Sequence, residues 1–183
     1  ACYYGAKCVT VYGYESDRRV FLSDGTNCDT YSGVTLDGSS SITYFPDTNY
    51  RVLGEDTEII GYAQKDGYLF TFKRGDDSVY VRYGTTLNDV TEFPSAVVTR
   101  NLQVLTRPIQ INDEILLITR DGIKGMSYVS QECRTELRSY FISNYFKLSA
   151  DYNYDKMQWF KDDSLLHIFL NEYEFTADMV SKS

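Results

Sequence analysis

Apolar and polar residues alternate along this chain in short bursts, and turn residues separate the bursts into pairs. Alternation on a two-residue stride marks half-buried strands, and paired bursts around Gly, Asp or Asn mark hairpins. Four segments share the pattern: YYGAKCVTVYGYESDRRVFLSDG (3–25), KDGYLFTFKRGDDSVYVRYG (65–84), INDEILLITRDGIKGMSYV (111–129) and KDDSLLHIFLNEYEFTADM (161–179). From Gly67 to Asp113 is 46 residues and from Asp113 to Asp163 is 50. Gly5 to Gly67 is 62, because the insertion SDGTNCDTYSGVTLDGSSS (23–41) lies between them. Further strands are predicted at 50–54, 57–64, 96–99 and 102–111, which gives each repeat about four strands.

The pattern predicts an all-β chain of propeller-like repeats of about 46–50 residues. It forms one domain over 1–183, or part of one in a longer chain. A β-sandwich with long hairpins produces a similar pattern, because turns and apolar positions repeat here rather than particular residues. One short helix is predicted near 132–147. In ECRTELRSYFISNYFKL (132–148), Cys133, Leu137, Phe141 and Tyr145 recur every four residues, and Arg134, Glu136 and Arg138 fall on the other face.

Composition narrows the function classes. The 183 residues carry 18 Lys and Arg against 26 Asp and Glu, a net charge of −8, so no basic nucleic-acid footprint is present. No apolar run is long enough to span a membrane, and the first residues lack the pattern of a secretory leader. The chain does not begin with Met, which suggests a processed chain or the interior of a longer one. Its 17 Tyr and 10 Phe suit half-buried strands, and they also suit interfaces.

Candidate chemistry is sparse. Cys2, Cys8, Cys28 and Cys133 form no CxxC pair and read as free thiols, with a Cys2–Cys8 disulfide left open. The single histidine, His167, sits in the apolar run LLHIF, the setting of a packed strand residue rather than a base with an orienting partner. Cys133 on a helix would have the setting of an activated thiol, but only His167 could pair with it. Asp24, Asp37, Asp66, Asp76, Asp77, Asp162 and Asp163 cluster in turns, where aspartates usually bond their own backbone. In DYNYDKMQWFKD (151–162), Asp151, Asn153, Asp155 and Asp162 match part of a calcium-loop spacing. Lys156 stands where that loop needs Gly, and Asp162 stands where it needs Glu. No catalytic, cofactor or metal residue is therefore assigned, and the chain reads as a non-enzyme.

One stretch, SSSITYFPDTNYRVLG (39–54), sets Tyr44 and Phe45 against Pro46, followed by Asp47, Asn49 and Tyr50. Pro46 fixes its own backbone and biases Phe45 to an extended conformation. The result is a rigid aromatic corner, suited to docking on another chain or to packing between repeats.

Together with RVFLSDG (19–25), YSGV (31–34), IIGY (59–62), GYLFTFKRGDDSVYVR (67–82), TRDGI (119–123) and RSYFIS (138–143), this stretch resembles bacteriophage virion structural proteins. The family is that of the propeller-type neck and tail proteins, also described as packaged-DNA stabilisation or tail proteins. The likeness covers roughly residues 18–145 and rests on motifs of fold rather than chemistry. Asp24 departs from it where a Gly usually follows Ser, and the insertion is shorter than the family's. The resemblance implies a virion component at the head–tail connection, assembled in the bacterial host cytoplasm. Its partners would be other virion proteins and copies of itself in a symmetric ring, with passage of DNA without specific binding and no membrane. The alternative is a carbohydrate-binding or glycan-hydrolysing propeller used in host recognition, which predicts carboxylates converging with Trp or Tyr in one pocket at the ring centre. A third reading is a bacterial surface or adhesion domain.

Overall fold

The structure, a computed structural model, describes residues 5–34, 42–74, 78–87, 90–99, 102–111, 113–129, 132–138, 156–170 and 172–178. Among the described residues seventeen strands run in chain order. The first sheet holds β1 (Cys8–Tyr12), β2 (Arg19–Ser23), β3 (Cys28–Tyr31) and β4 (Tyr50–Val52). Next come β5 (Ile59–Lys65), β6 (Tyr68–Lys73) and β7 (Val79–Arg82), then a small hairpin of β8 (Thr85–Leu87) and β9 (Val90–Glu92). After it, β10 (Ser95–Thr99) joins β5–β7 to complete the second sheet, in the order β10-β7-β6-β5. The third sheet is β11 (Ile109–Ile111), β12 (Glu114–Thr119), β13 (Gly122–Val129) and β14 (Glu132–Leu137). The fourth is β15 (Gln158–Asp162), β16 (Leu165–Leu170) and β17 (Tyr173–Asp178). Each sheet is an antiparallel meander of strands consecutive in the chain, with β8–β9 set aside.

The expected hairpins form where the turn chemistry placed them. Lys65 pairs with Tyr68, Ile111 with Glu114 and Asp162 with Leu165, each across a two-residue turn. At the first of these, Asp66 (φ 52°) and Gly67 (φ 78°) are both left-handed, as a twisted two-residue hairpin requires.

The meanders stack face to face in chain order. On β6, Leu69 joins Tyr12, Phe21, Tyr31 and Phe93 between sheets one and two. Its neighbours Phe70 and Phe72 point the other way and meet Ile115 and Leu117 of sheet three. Leu116 and Ile118 of that same β12 strand then meet Leu166, Ile168 and Leu170 of sheet four. The middle sheets are thus covered on both faces, which explains the unbroken apolar runs YLFTF and EILLI.

Glutamines tie the first strands of successive sheets. The Gln110 side chain accepts from the Gln64 backbone N–H at 2.9 Å and donates to the Gln64 carbonyl at 2.5 Å. The Gln64 side chain in turn donates to the Val11 carbonyl at 2.6 Å and to Thr10 Oγ1 at 3.1 Å. By register Gln64 faces Leu69 and Gln110 faces Ile115; the matching position of sheet four, facing Leu166, is Lys161.

The helix expected near 132–147 is corrected over its described part. Glu132–Leu137 is strand β14, with Cys133 opposite Tyr128. A four-residue stride of apolar positions also satisfies a two-residue one. Glu132, Arg134 and Glu136 project to solvent while Cys133 and Thr135 turn inward. Phe141 and Tyr145, the rest of the expected stripe, lie outside the described residues. Among those residues the helical segments Glu15–Asp17 and Asp47–Asn49 are short 3-10 turns, and no helix is long and apolar enough to cross a membrane.

Candidate functional site

The aromatic corner is held by its own sheet. Pro46 takes φ −69° and ψ 147°, and the 3-10 turn Asp47–Asn49 follows it into β4. Asn49 donates its side-chain N–H to the carbonyls of Tyr31 and Ser32 at 3.0 and 3.4 Å, fastening the turn to the end of β3. Gly33 donates its backbone N–H to the Tyr44 carbonyl at 2.8 Å. A Cβ on Gly33 would stand 3.0 Å from both Pro46 Cδ and Tyr44 Cδ1, so any larger residue would push the corner outward by a few tenths of an ångström. Tyr44 stays 50% exposed and Tyr50 49%. Between corner and sheet lies a cleft of about 520 Å³ lined by Leu22, Cys28, Phe45, Tyr50, Asp24 and Asp47, with Asp29 at its base.

The corner borders an uncovered sheet face. Cross-strand pairing puts Val9 beside Leu22, Val11 beside Val20, Thr30 beside Tyr50 and Cys28 beside Val52, all turned away from sheet two. Val9 is 61% exposed and Val52 57%. The far end of the stack repeats this. On sheet four Phe160 pairs with His167, whose ring it stacks on at 4.6 Å and 11°, and Phe169 stacks on Phe160 at 5.7 Å. His167 Nδ1 lies 2.6 Å from Glu174 Oε1.

His167 is thus a strand residue, as expected, but on the outward face of β16 rather than in the core. Glu174 orients it, a partner that sequence alone did not supply. Cys133, off its expected helix, has its thiol pushed up to about 11 by burial, far from an activated nucleophile. Cys8, Cys28 and Cys133 are free thiols, and Cys2, the other end of the bridge left open above, lies outside the described residues. Of the calcium-like spacing, Asp151, Asn153 and Asp155 lie outside the described residues. Asp162 ends the extended strand β15, which occupies the second half of that segment in place of a loop. No metal-type group of three acidic, His or Cys side chains occurs among the described residues. Asp24 bonds its own turn, accepting from the Thr26 N–H and O–H at 3.0 and 2.8 Å, and these bonds hold its carboxyl below the usual range.

Sequence reasoning missed the most enclosed polar group. Asp29 of β3 and Arg82 of β7 form an ion pair between sheets one and two, with both side chains at 0% exposure. Arg82 Nη2 lies 2.8 and 2.7 Å from the two carboxylate oxygens, and Tyr62 O–H donates to Asp29 at 3.2 Å. Burial pushes the Asp29 carboxyl up, while Arg82 and Tyr62 pull it back down. Burial likewise raises the Tyr62 hydroxyl well above the ordinary tyrosine range. The pair is buried between the two sheets, with both side chains out of contact with solvent.

No protein-family model matches the chain, and no curated protein matches it in sequence.

Proposed function

We propose that this chain is a propeller-like assembly module rather than an enzyme, and that it serves as a structural component of a phage virion. The observation carrying the assembly reading is the set of exposed apolar side chains on the outer faces at the two ends of the sheet stack, mixed at the sheet-four end with Asp162, His167 and Glu174. Val9, Val11, Tyr50 and Val52 face outward at one end, and Phe160 and Leu165 at the other. The propeller character rests on meanders stacked in chain order, with their first strands side by side. In such a fold each sheet is packed on both faces, so the two outer faces call for a neighbouring sheet. The neck and tail setting rests on the motif likeness over residues 18–145.

Passage of DNA without specific binding stays part of this reading, although the residues leading into the first strands, Lys7, Arg107 and Lys156 against Glu58, are mostly basic. The cleft under the corner does combine aspartates with Phe45 and Tyr50, which favours a carbohydrate-binding reading over a hydrolysing one. A hydrolase needs an accessible carboxylic acid of raised pKa; here Asp29 is sealed by Arg82 and Asp24 is held low.

Light scattering over a concentration series tests assembly. The expected result is a mass above the monomer that Val11→Asp and Phe160→Asp each reduce. Imaging of the particle that carries the protein then locates it at the neck or tail. A monomer at every concentration that binds oligosaccharide under the corner overturns the reading.

A further inference from the structure

Each of the four stacked sheets is entered past a charged residue. Lys7 directly precedes β1 and Glu58 directly precedes β5, while Arg107 and Lys156 each stand two places ahead of β11 and β15. These positions are far apart in the chain, yet they converge on one cleft of about 480 Å³. Its floor is apolar, made of Ile59, Ile60 and Met157, all buried. Among the described residues its wall carries Lys7, Arg74, Arg107 and Lys156 against one acid, Glu58.

That acid is already engaged. Glu58 Oε1 lies 2.7 Å from Arg74 Nε. The side chains of Lys7, Arg107 and Lys156 make no ion pair or hydrogen bond among the described residues. Arg107 is placed by close packing: a Cβ on Gly61 would stand 2.6 Å from Pro108 Cδ and 3.2 Å from Arg107 Cβ, so a glycine lets this entry lie against β5. Arg107 and Lys7 both reach the field of the Cys8 thiol, pulling it down against burial and Glu58.

A chain of net charge −8 thus gathers from three sheets, around one concavity, cations that make no ion pair or hydrogen bond among the described residues, Lys7 being also within the field of Asp24. Like charges on a concave wall reinforce one another's potential and draw in an anion. The cleft has the size of a small-molecule site, and its guanidinium and ammonium groups suit phosphate oxygens. We propose that this cleft binds a small multivalent phosphate-bearing ligand, its charged end on Lys7, Arg107 and Lys156 and its less polar part on the Ile59–Met157 floor. Such a ligand would bridge sheets one, three and four beside β5 and so lock the relative setting of the stack.

Calorimetric titration and thermal melting of the whole chain with inorganic pyrophosphate and tripolyphosphate test the site. Wild type is expected to bind tripolyphosphate more tightly than pyrophosphate, more weakly as salt rises, and with a melting temperature that climbs with ligand. Arg107→Gln and Lys156→Gln should each weaken binding about tenfold, the loss of one charged hydrogen bond. Lys124→Gln, whose lysine pairs with Asp121 away from the cleft, should bind as wild type does. Absence of binding at millimolar ligand overturns the proposal, as does equal weakening by Lys124→Gln. Preference for duplex DNA over tripolyphosphate at equal phosphate concentration also overturns it, since the site would then be part of a nucleic-acid surface.

Discussion

The seam between sheets one and two and the seam between sheets three and four join similar meanders by different physics. The first is aromatic and ionic. Phe21, Tyr31 and Phe93 meet with ring centres 5.1–5.2 Å apart, and Tyr12 packs edge-on to Phe21 and Phe93. Beside them Arg82 lies 5.6 Å over the Phe21 ring while gripping Asp29. The second seam is mainly aliphatic: Ile109, Ile111, Leu116, Ile118, Ile123, Leu166, Ile168 and Leu170 with Met157, and Trp159 and Phe175 packed at its edge. Edge-on rings and a two-oxygen ion pair are directional, so they hold sheet one at one angle and register. Aliphatic contact is non-directional, and it holds sheet four mainly by area and shape. Similar topology thus tolerates one seam that specifies and another that only adheres.

The largest effect should come from breaking the directional seam on one side. Arg82→Leu leaves Asp29 buried without its cation, and urea unfolding should show a loss of about 3–5 kcal/mol. The double change Asp29→Leu with Arg82→Met should recover most of that loss, while broadening the amide spectrum if the pair fixes sheet register. A single variant as stable as wild type would make the two seams equivalent.

On the aliphatic side, Ile168→Ala should cost about 2–5 kcal/mol, yet Ile168→Leu should cost less than about 1.5 kcal/mol because the seam can repack. Phe21→Leu conserves apolar character as well but loses ring contacts with Tyr31 and Phe93, so thermal melting should rank it well below Ile168→Leu.

A smaller loss is expected from Gln64→Ala. It removes donors to Val11 and Thr10, about 1 kcal/mol for each hydrogen bond, and amide exchange in β1 should quicken. Smallest is the acid limb. Asp24 is held below its usual value by Thr26, so its contribution is present above the unfolded value and fades as pH falls through the folded one. Asp24→Ala should therefore lower stability slightly at neutral pH, flatten the fall of stability through that acid window, and match wild type below it.

Local features carried most of the legible fold. The two-residue turns at Asp66–Gly67 and Asp163–Ser164 placed their hairpins, and AVVT (96–99) announced β10. The helix expectation failed because Cys133 and Leu137 fit either period, and the Glu–Arg–Glu alternation that decides for a strand lies on the charged positions. The functional surfaces were less legible. Asp29 and Arg82 are 53 residues apart, and the cations of the basic cleft come from three separate entry points. Convergence of that kind belongs to the sheet stack and leaves no mark in a local window. The corner at Tyr44–Pro46 was readable because Pro46 acts locally, but its seat on Gly33 was not.

The glutamine ladder has a consequence for solubility. The first strand of a meander has one flank of backbone N–H and C=O groups with no strand beside it, a template onto which another chain can add. Gln110 presents its amide to β5 as a neighbouring backbone would, and Gln64 occupies a carbonyl of β1. Two of these flanks are thereby capped by side chains from the adjoining sheet. On β15 Lys161 stands at the matching position, where a charge repels strand addition instead. Growth by edge-to-edge pairing, the route to fibrils, is discouraged along these first strands, and association is steered toward the sheet faces.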